Sequence, residues 1–229
     1  MQKIHDFQGP FTEDSWGILA GYLDKLPERV RIVVWGSEKN SCTEESAVEL
    51  GYALAERFPK TIEFKHRPRK PNYDFYPVLG VMGINEHGRD IDYGIRFVGL
   101  PGWYQINTLV GAIQAVSFHG STLPVKTRIQ LSRIPADEEI SLQVFTSPED
   151  EGGVLMGTLA SNLAVLSPNI KVWIGMINDF PQLAVRFSVQ SLPHTIINRN
   201  YHLQGVYDED QMIAHLGKVI QRKQTPAAD

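Results

Sequence analysis

The sequence predicts an α/β protein made of two similar units in tandem. Short β-branched segments alternate with segments of helical period, and this alternation favours a sheet covered by helices. The same order of elements also occurs twice along the chain. Its 229 residues suffice for two small domains. The stretch GSTLP at 120–124 separates the repeats, so we predict units at 1–121 and 122–229.

The first unit begins with an amphipathic helix at 12–26, followed by a β-branched strand and a second amphipathic helix. A short strand, a hairpin of two strands and a closing helix complete it. The proline-rich stretch 66–77 leaves little room for a helix between the second and third strands. The predicted elements after the first helix are 30–36, 44–58, 61–65, 77–84, 93–99 and 101–118. The predicted buried faces are Trp16, Leu19, Leu23 and Leu26, and Ala47, Leu50, Leu54 and Phe58.

The second unit repeats this order and adds a short middle helix. Its first long helix, at 153–166, has four leucines at helical spacing, which predicts a buried leucine face. Each unit is therefore expected to form a small mixed sheet with helices on both faces. The predicted elements are 125–135, 140–146, 153–166, 170–177, 180–190, 194–198, 202–206 and 209–221. The four leucines are Leu155, Leu159, Leu163 and Leu166.

Composition excludes several classes of function. A formal net charge of −4 argues against a general nucleic-acid-binding protein, which needs a strong basic excess. The longest apolar runs are too short for a membrane span, and the N-terminus shows no signal peptide. The seven scattered histidines and the absence of glycine-rich phosphate-binding motifs predict neither metal nor cofactor. One cysteine excludes an internal disulfide framework, so the cytoplasm is the expected compartment.

The order of elements resembles that of tandem thioredoxin-fold proteins. The stretches that carry this resemblance are RFVGLPGWYQINTLVGAI at 96–113 and LASNLAVLSPNIKVWIGMINDFPQLAVRFSVQSLPHTIIN at 159–198, with RPRKPN at 67–72 as a weaker one. The chain resembles the archaeal protein disulfide oxidoreductases, which are glutaredoxin-like, and the N-terminal domain of the alkyl hydroperoxide reductase flavoprotein subunit. The resemblance covers about 12–221 and implies two thioredoxin-like units.

The resemblance also implies a cis proline before the third strand of each unit, beside the redox site. In the second unit this is Pro193, which Leu192 precedes and His194 follows. In the first unit we choose Pro77, after Tyr76, with Pro71 as the alternative. Such a proline places backbone groups that bind an extended peptide in the manner of a strand.

The redox cysteine pair of these relatives is missing from both units. Counted without gaps from the first strand of each unit, its positions hold Ser41 and Glu44, and Asp150 and Gly153. The spacing from Ser41 to Glu44 is that of a capping box. Residues 147–150 are similarly expected to cap the next helix, with Pro148 as the first residue of that helix. Both helix starts therefore favour a stable cap over a reactive terminus.

Cys42 leaves two interpretations open. As a lone nucleophile at a helix start, it would form a mixed disulfide with glutathione or a partner protein, and the helix N-terminus would lower its pKa. The neighbouring glutamates would raise that pKa. We favour an inert cysteine. A dithiol cycle within one chain needs a second sulfur, which the chain lacks.

Other candidate residues have simpler explanations. The basic run 66–70 is either a site for an acidic partner or a solvated loop, and we favour the loop. His194 would bind a peptide or Asp150, but a strand residue with a local partner is the favoured interpretation. Trp103 and Tyr104 are expected to pack.

The sequence therefore predicts a redox-inactive member of this fold group that binds or scaffolds a protein or peptide. The alternative is a monothiol oxidoreductase that uses Cys42 with glutathione or a partner thiol. A homodimer is one assembly that the sequence leaves open.

Overall fold

The computed structural model describes residues 13–37, 42–69 and 73–224. Its helices and strands follow the predicted order. The predicted boundary at 121/122 falls in the turn between α3 and α4 and stays a prediction. In chain order the elements are α1 (Glu13–Leu23), β1 (Val30–Trp35), α2 (Cys42–Arg57), β2 (Ile62–Arg67), β3 (Val78–Ile84), β4 (Asp90–Val98), α3 (Gln105–Ser117), α4 (Val125–Leu131), β5 (Ile140–Thr146), α5 (Glu151–Leu166), β6 (Ile170–Met176), α6 (Pro181–Arg186), β7 (His194–Ile197), β8 (Tyr201–Gln204) and α7 (Glu209–Gln224).

The strands of the two units form one continuous sheet of eight strands. Their order is β2-β1-β3-β4-β6-β5-β7-β8. The units meet where β4 pairs in parallel with β6, from Ile95 opposite Val172 to Val98 opposite Gly175. In two separate sheets, β4 and β6 would each be an edge strand with unpaired backbone groups. Here they pair with each other.

One face of the sheet carries most of the core. Side chains of α1, α2, α3, α5 and α7 pack there against alternate residues of the strands. Phe97 of β4 and Leu142 of β5 point to this face and are fully buried. Burial of this apolar surface is the main force that holds the two units together.

The opposite face of the sheet is more thinly covered. In the second unit α6 packs on it, with Leu183 against Phe145. In the first unit the segment 73–77 takes the place of a helix, and Tyr73, Phe75 and Tyr76 pack against the strands. The described residues between β2 and β3 contain no helix, as the prolines of this stretch predicted.

The predicted apolar faces of α1 and α2 are confirmed, since all eight of their predicted side chains are buried. The prediction for α5 is wrong in part. Leu163 is buried, but Leu155 is 61 % exposed, and the inner side of α5 includes Gly153, Met156 and Gly157 instead. Gly157 lies inward because α5 closely approaches α3 there, and a Cβ atom at 157 would overlap Cγ2 of Thr108.

Candidate functional site

Both predicted cis prolines are cis in the structure. The bonds Tyr76–Pro77 and Leu192–Pro193 are the cis peptide bonds among the described residues. Each proline is buried and stands directly before the start of β3 or β7. Pro71, the alternative for the first unit, lies outside the described residues. The role of these prolines in binding a peptide stays a prediction.

The helix cap predicted at 147–150 is not the one that forms. Helix α5 begins at Glu151, so Pro148 precedes the helix instead of occupying its first position. Asp150 is the N-cap residue, but its side chain makes no capping hydrogen bond. Its Oδ2 instead accepts a hydrogen bond of 3.0 Å from Oγ1 of Thr146. The Asp150 carboxylate is therefore hydrogen-bonded to the Thr146 hydroxyl at the end of β5 and does not cap α5.

Gly153 stands at the second position of the cysteine pair that the resemblance implies. Thr146 occupies the space that a side chain at 153 would need. A Cβ atom placed on Gly153 would lie 2.7 Å from Cβ of Thr146 and 2.8 Å from Oδ2 of Asp150, and it would also overlap Oγ1 of Thr146. Real Cβ atoms do not approach other atoms this closely. A cysteine therefore does not fit at 153 unless β5 or α5 moves.

The first turn of α5 lies directly against the cis proline of the second unit. A Cβ on Gly152 would lie 2.8 Å from Cδ of Pro193 and 2.9 Å from Cγ2 of Val206. Gly152 therefore lets α5, the proline loop and the segment after β8 come together. The resemblance places the redox site of the second unit at Asp150, Gly153 and Pro193, and we call these three residues the vestigial site with that meaning only.

A fully buried glutamine, Gln105, fixes the turn before α5. Its Nε2 donates to the carbonyl oxygens of Ser147, at 2.9 Å, and Asp150, at 2.8 Å. Its Oε1 accepts from Oγ1 of Thr108 at 2.8 Å. Sequence reasoning missed Gln105, although a glutamine early in an otherwise apolar helix was a usable signal. Through this residue, α3 of the first unit determines the shape of the vestigial site in the second.

Exposed apolar side chains come from three segments that meet near this site. Trp103 is 74 % exposed, and the next residue, Tyr104, donates its backbone N–H to the carbonyl of Pro148. Leu155 on α5 and Val206 beside Gly152 are also exposed. The prediction that Trp103 packs is therefore wrong. Trp103 has a positive φ of 50° in the turn before α3.

In the first unit, Glu44 occupies the corresponding second position and is 2 % exposed. Its Oε2 accepts from the backbone N–H of Ser37 at 2.5 Å, and its carboxylate forms an ion pair with Arg69. The Arg69 guanidinium lies 5.3 Å from the ring centre of Tyr76, the residue before the cis proline. Arg69 thereby links the start of α2 to the proline loop.

The predicted partner of Glu44 in a capping box, Ser41, lies outside the described residues. Cys42 is the first residue of α2, and its side chain is outside the described part of the structure. The reactivity of this cysteine therefore stays a prediction.

The described part of the basic run 66–70 is a solvated loop only at residues 68 and 69, which are exposed and outside any helix or strand. His66 and Arg67 belong to β2, and Arg67 pairs with Asp90 at 2.9 Å. The Nε2 atom of His66 lies 2.9 Å from the carbonyl oxygen of Gly36. His66, Arg67 and Arg69 each contact an acidic or carbonyl group far away in sequence, and the composition of the run alone could not show these contacts.

His194 is a buried strand residue with a local partner, as favoured from the sequence. Its Nε2 lies 2.9 Å from Nδ1 of His202 on β8. Burial, and secondarily the neighbouring His202, lowers the pKa of His194 below its usual value. Burial therefore favours the neutral ring of His194, which is the first residue of β7 and directly follows Pro193.

Among the helices that the structure describes, none is both long and apolar enough to cross a membrane. Within residues 13–37, 42–69 and 73–224, no three His, Cys, Asp or Glu side chains are grouped so that they could hold a metal ion.

Comparison with known proteins finds similar structures. No protein-family model matches the chain, and no curated protein matches it at the level of sequence. A mutant of the alkyl hydroperoxide reductase AhpF from Enterococcus faecalis is similar with a TM-score of 0.80 and 18 % identity, over 90 % of this chain and 99 % of that one. A separate structure of the N-terminal domain of AhpF gives a TM-score of 0.78 and 17 % identity, with the same coverage.

A protein disulfide oxidoreductase from Aeropyrum pernix is similar to the same degree. Its TM-score is 0.80 at 20 % identity, over 92 % of this chain and 94 % of that one. At such identities the similarity establishes the fold, and activity has to be argued from the site. The chain therefore has the fold that these proteins share, two thioredoxin-like units in tandem, as its order of elements predicted.

Proposed function

We propose that this protein is a redox-inactive member of the thioredoxin-fold group that binds an extended segment of a partner protein. The binding site would be the groove between Pro193 and the start of α5. The proposal depends above all on the lack of space at Gly153, because Thr146 fills the space that a second thiol would need.

The chemistry of the vestigial site favours recognition over disulfide exchange. Exchange within one chain needs an attacking and a resolving sulfur, and this chain has one cysteine. That cysteine lies in the first unit, at the start of α2, whereas the site in the second unit holds Asp150 and Gly153. A reducing compartment such as the cytoplasm would suit a protein of this composition.

The surroundings of Pro193 supply the contacts that an extended peptide needs. Neither backbone group of Leu192 forms a hydrogen bond with another described residue, so both are free to pair with an added strand. The exposed side chains of Tyr104, Leu155 and Val206 offer apolar surface to alternate side chains of such a segment. Fully burying one leucine contributes about 1.5–3 kcal/mol to binding.

Replacing Leu155 with aspartate is expected to weaken peptide binding about tenfold or more, because a charge there resists desolvation in the groove. Short random peptides displayed on phage would be selected on the wild-type protein. The affinity of the selected peptides would then be measured by fluorescence anisotropy with wild type and Leu155→Asp.

Ile18→Asp is the matched control for this experiment, since Ile18 is an exposed apolar residue on α1 in the other unit. It should bind the selected peptides as wild type does. The proposal fails if selection yields no peptide, or if Leu155→Asp binds the peptides as tightly as Ile18→Asp.

The alternative activity, monothiol exchange, is supported by one observation: Cys42 is the first residue of α2, where the helix N-terminus stabilises a thiolate. Against it, Glu44 is buried in the same first turn and a second carboxylate, that of Glu45, follows. Nearby anions raise the pKa of a thiol.

In an insulin reduction assay with glutathione, we expect wild type and Cys42→Ala to give the same rate as glutathione alone. Cys42→Ala should also keep the affinity for the selected peptides. A wild-type rate above that background, lost in Cys42→Ala, would establish the monothiol activity and overturn the redox-inactive assignment.

A further inference from the structure

An open cleft of about 900 Å³ lies on the sheet face opposite α3 and α5. Its floor is formed by β4, β6 and β5, so it spans the line where the two units join. Residues 73–75 lie on one side of it and α6 on the other. The absence of a helix between β2 and β3 in the described residues leaves this part of the sheet uncovered, and the volume is within the range of small-molecule sites.

Aromatic rings form the upper part of the cleft. Trp173 lies edge to face with Tyr73, with ring centres 5.6 Å apart, and both rings line the cleft. Phe145 and Phe187 form a second pair at 5.0 Å and also line it. Such walls favour a flat, apolar molecule.

Seven charged side chains also line the cleft, and four of them form two ion pairs. Arg96 holds Asp92 through both carboxylate oxygens, and Arg186 pairs with Asp74 at 2.8 Å. The other three, Lys171, Arg199 and Glu139, form no ion pair with any residue in the described ranges. Lys171 interacts with Asp92 only at longer range.

The fold brings the two unpaired cations to the same end of the cleft. Lys171 stands opposite Ser141 in the pairing of β5 and β6. The backbone N–H of Ser141 donates to Oδ1 of Asn198, the residue before Arg199. Gly94, across from Lys171 on β4, has no side chain, and the stem of Lys171 lies over it. The end of the cleft beside Ser141, below the aromatic walls, therefore carries both cations together with one carboxylate, that of Glu139.

One polar group between the two ends has unused hydrogen-bonding capacity. Gln143 lies between Ser141 and Phe145 on β5 and lines the cleft. Its Oε1 is buried without a hydrogen-bond partner in the described structure. Buried amide groups that the fold itself does not satisfy are rare and call for an explanation.

We propose that this cleft binds a small organic acid with an aromatic body. The rings of Trp173 and Phe145 would enclose the aromatic part, and Lys171 and Arg199 would bind the carboxylate or sulfonate. Gln143 would bind a polar group between them. This site is separate from the vestigial site and does not depend on the proposed peptide binding.

The test uses two fluorescent probes that differ by one anionic group. The probe 8-anilinonaphthalene-1-sulfonate carries a sulfonate, and N-phenyl-1-naphthylamine is its neutral counterpart. Lys171→Gln and Arg199→Gln should each weaken binding of the sulfonate about tenfold, since hydrogen bonds to charged groups are the stronger ones. Binding of the neutral probe should change less than about twofold.

Lys60→Gln is the control, because Lys60 is an exposed lysine after α2, next to the edge strand β2. It should leave both affinities unchanged. Ser141→Trp, which fills the cleft floor, should remove binding of both probes, with near-ultraviolet circular dichroism to verify the native fold. The proposal is wrong if wild type does not bind the sulfonate probe, if Lys171→Gln and Lys60→Gln act alike, or if Ser141→Trp is native and still binds.

Discussion

Replacing Gly157 of α5 with alanine is expected to lower the free energy of unfolding by about 2–3 kcal/mol, although alanine ordinarily stabilises a helix relative to glycine. A Cβ at 157 would overlap Cγ2 of Thr108 on α3 and lie 3.4 Å from Cδ1 of Ile174 on the sheet. Gly111 and Thr158 form the reciprocal contact, where a Cβ would lie 2.8 Å from Cγ2 of Thr158. The two units therefore meet through close helix contacts with no spare space.

Urea unfolding of matched alanine variants measures this effect. Gly217 lies in α7, and a Cβ there would meet nothing within 4 Å. Gly217→Ala should therefore raise the free energy of unfolding by about 0.5–1 kcal/mol through helix propensity. Equal effects of Gly157→Ala and Gly217→Ala would contradict the close α3–α5 contact.

A second substitution identifies the atom responsible for the loss. Thr108→Ser removes Cγ2 but keeps the hydroxyl that donates to Oε1 of Gln105. In the Thr108→Ser background, Gly157→Ala should cost about 1 kcal/mol or less, which gives a coupling energy well above that of distant sites. A full loss in both backgrounds would place the strain elsewhere, at Ile174.

The fold followed from the sequence because its signals are local. The strand at 30–36 is rich in β-branched residues, and α1 and α2 have apolar residues at helical spacing, so their buried faces could be predicted. The order of the elements then limited the topology. The leucine spacing of α5 predicted a partly wrong buried face for a physical reason. The face of α5 toward α3 lies very close to that helix, and small residues permit this approach whereas leucines prevent it.

The details of the site did not follow, because they depend on contacts between residues far apart in the chain. Gln105 holds the turn at 147–150, and Arg69 reaches Glu44. Neither pair has a spacing motif that a single sequence could reveal. The turn chemistry of 147–150 was consistent with a cap, but the hydroxyl of Thr146 competes for the Asp150 carboxylate, and this competition is visible only in three dimensions.

Placing cysteines at both vestigial positions, Asp150→Cys with Gly153→Cys, is expected not to create a working dithiol site. In reducing buffer, the double variant should unfold with a free energy about 2 kcal/mol lower than that of Asp150→Cys alone, because a Cβ at 153 overlaps Thr146. Insulin reduction should stay at the rate of the reductant alone, since a displaced thiol does not meet the geometry of a disulfide.

Repeating the measurement in the Thr146→Ala background tests whether lack of space at position 153 causes the loss of stability. Removing Oγ1 of Thr146 leaves only its Cβ near position 153, so the cost of Gly153→Cys should fall by about half in that background. Asp150→Cys is present in both arms, which keeps the lost hydrogen bond from Thr146 out of the comparison. Catalysed insulin reduction by the double variant at undiminished stability would mean that the site is open. In that case the missing sulfur alone, and not the packing of β5 against α5, would separate this protein from an oxidoreductase.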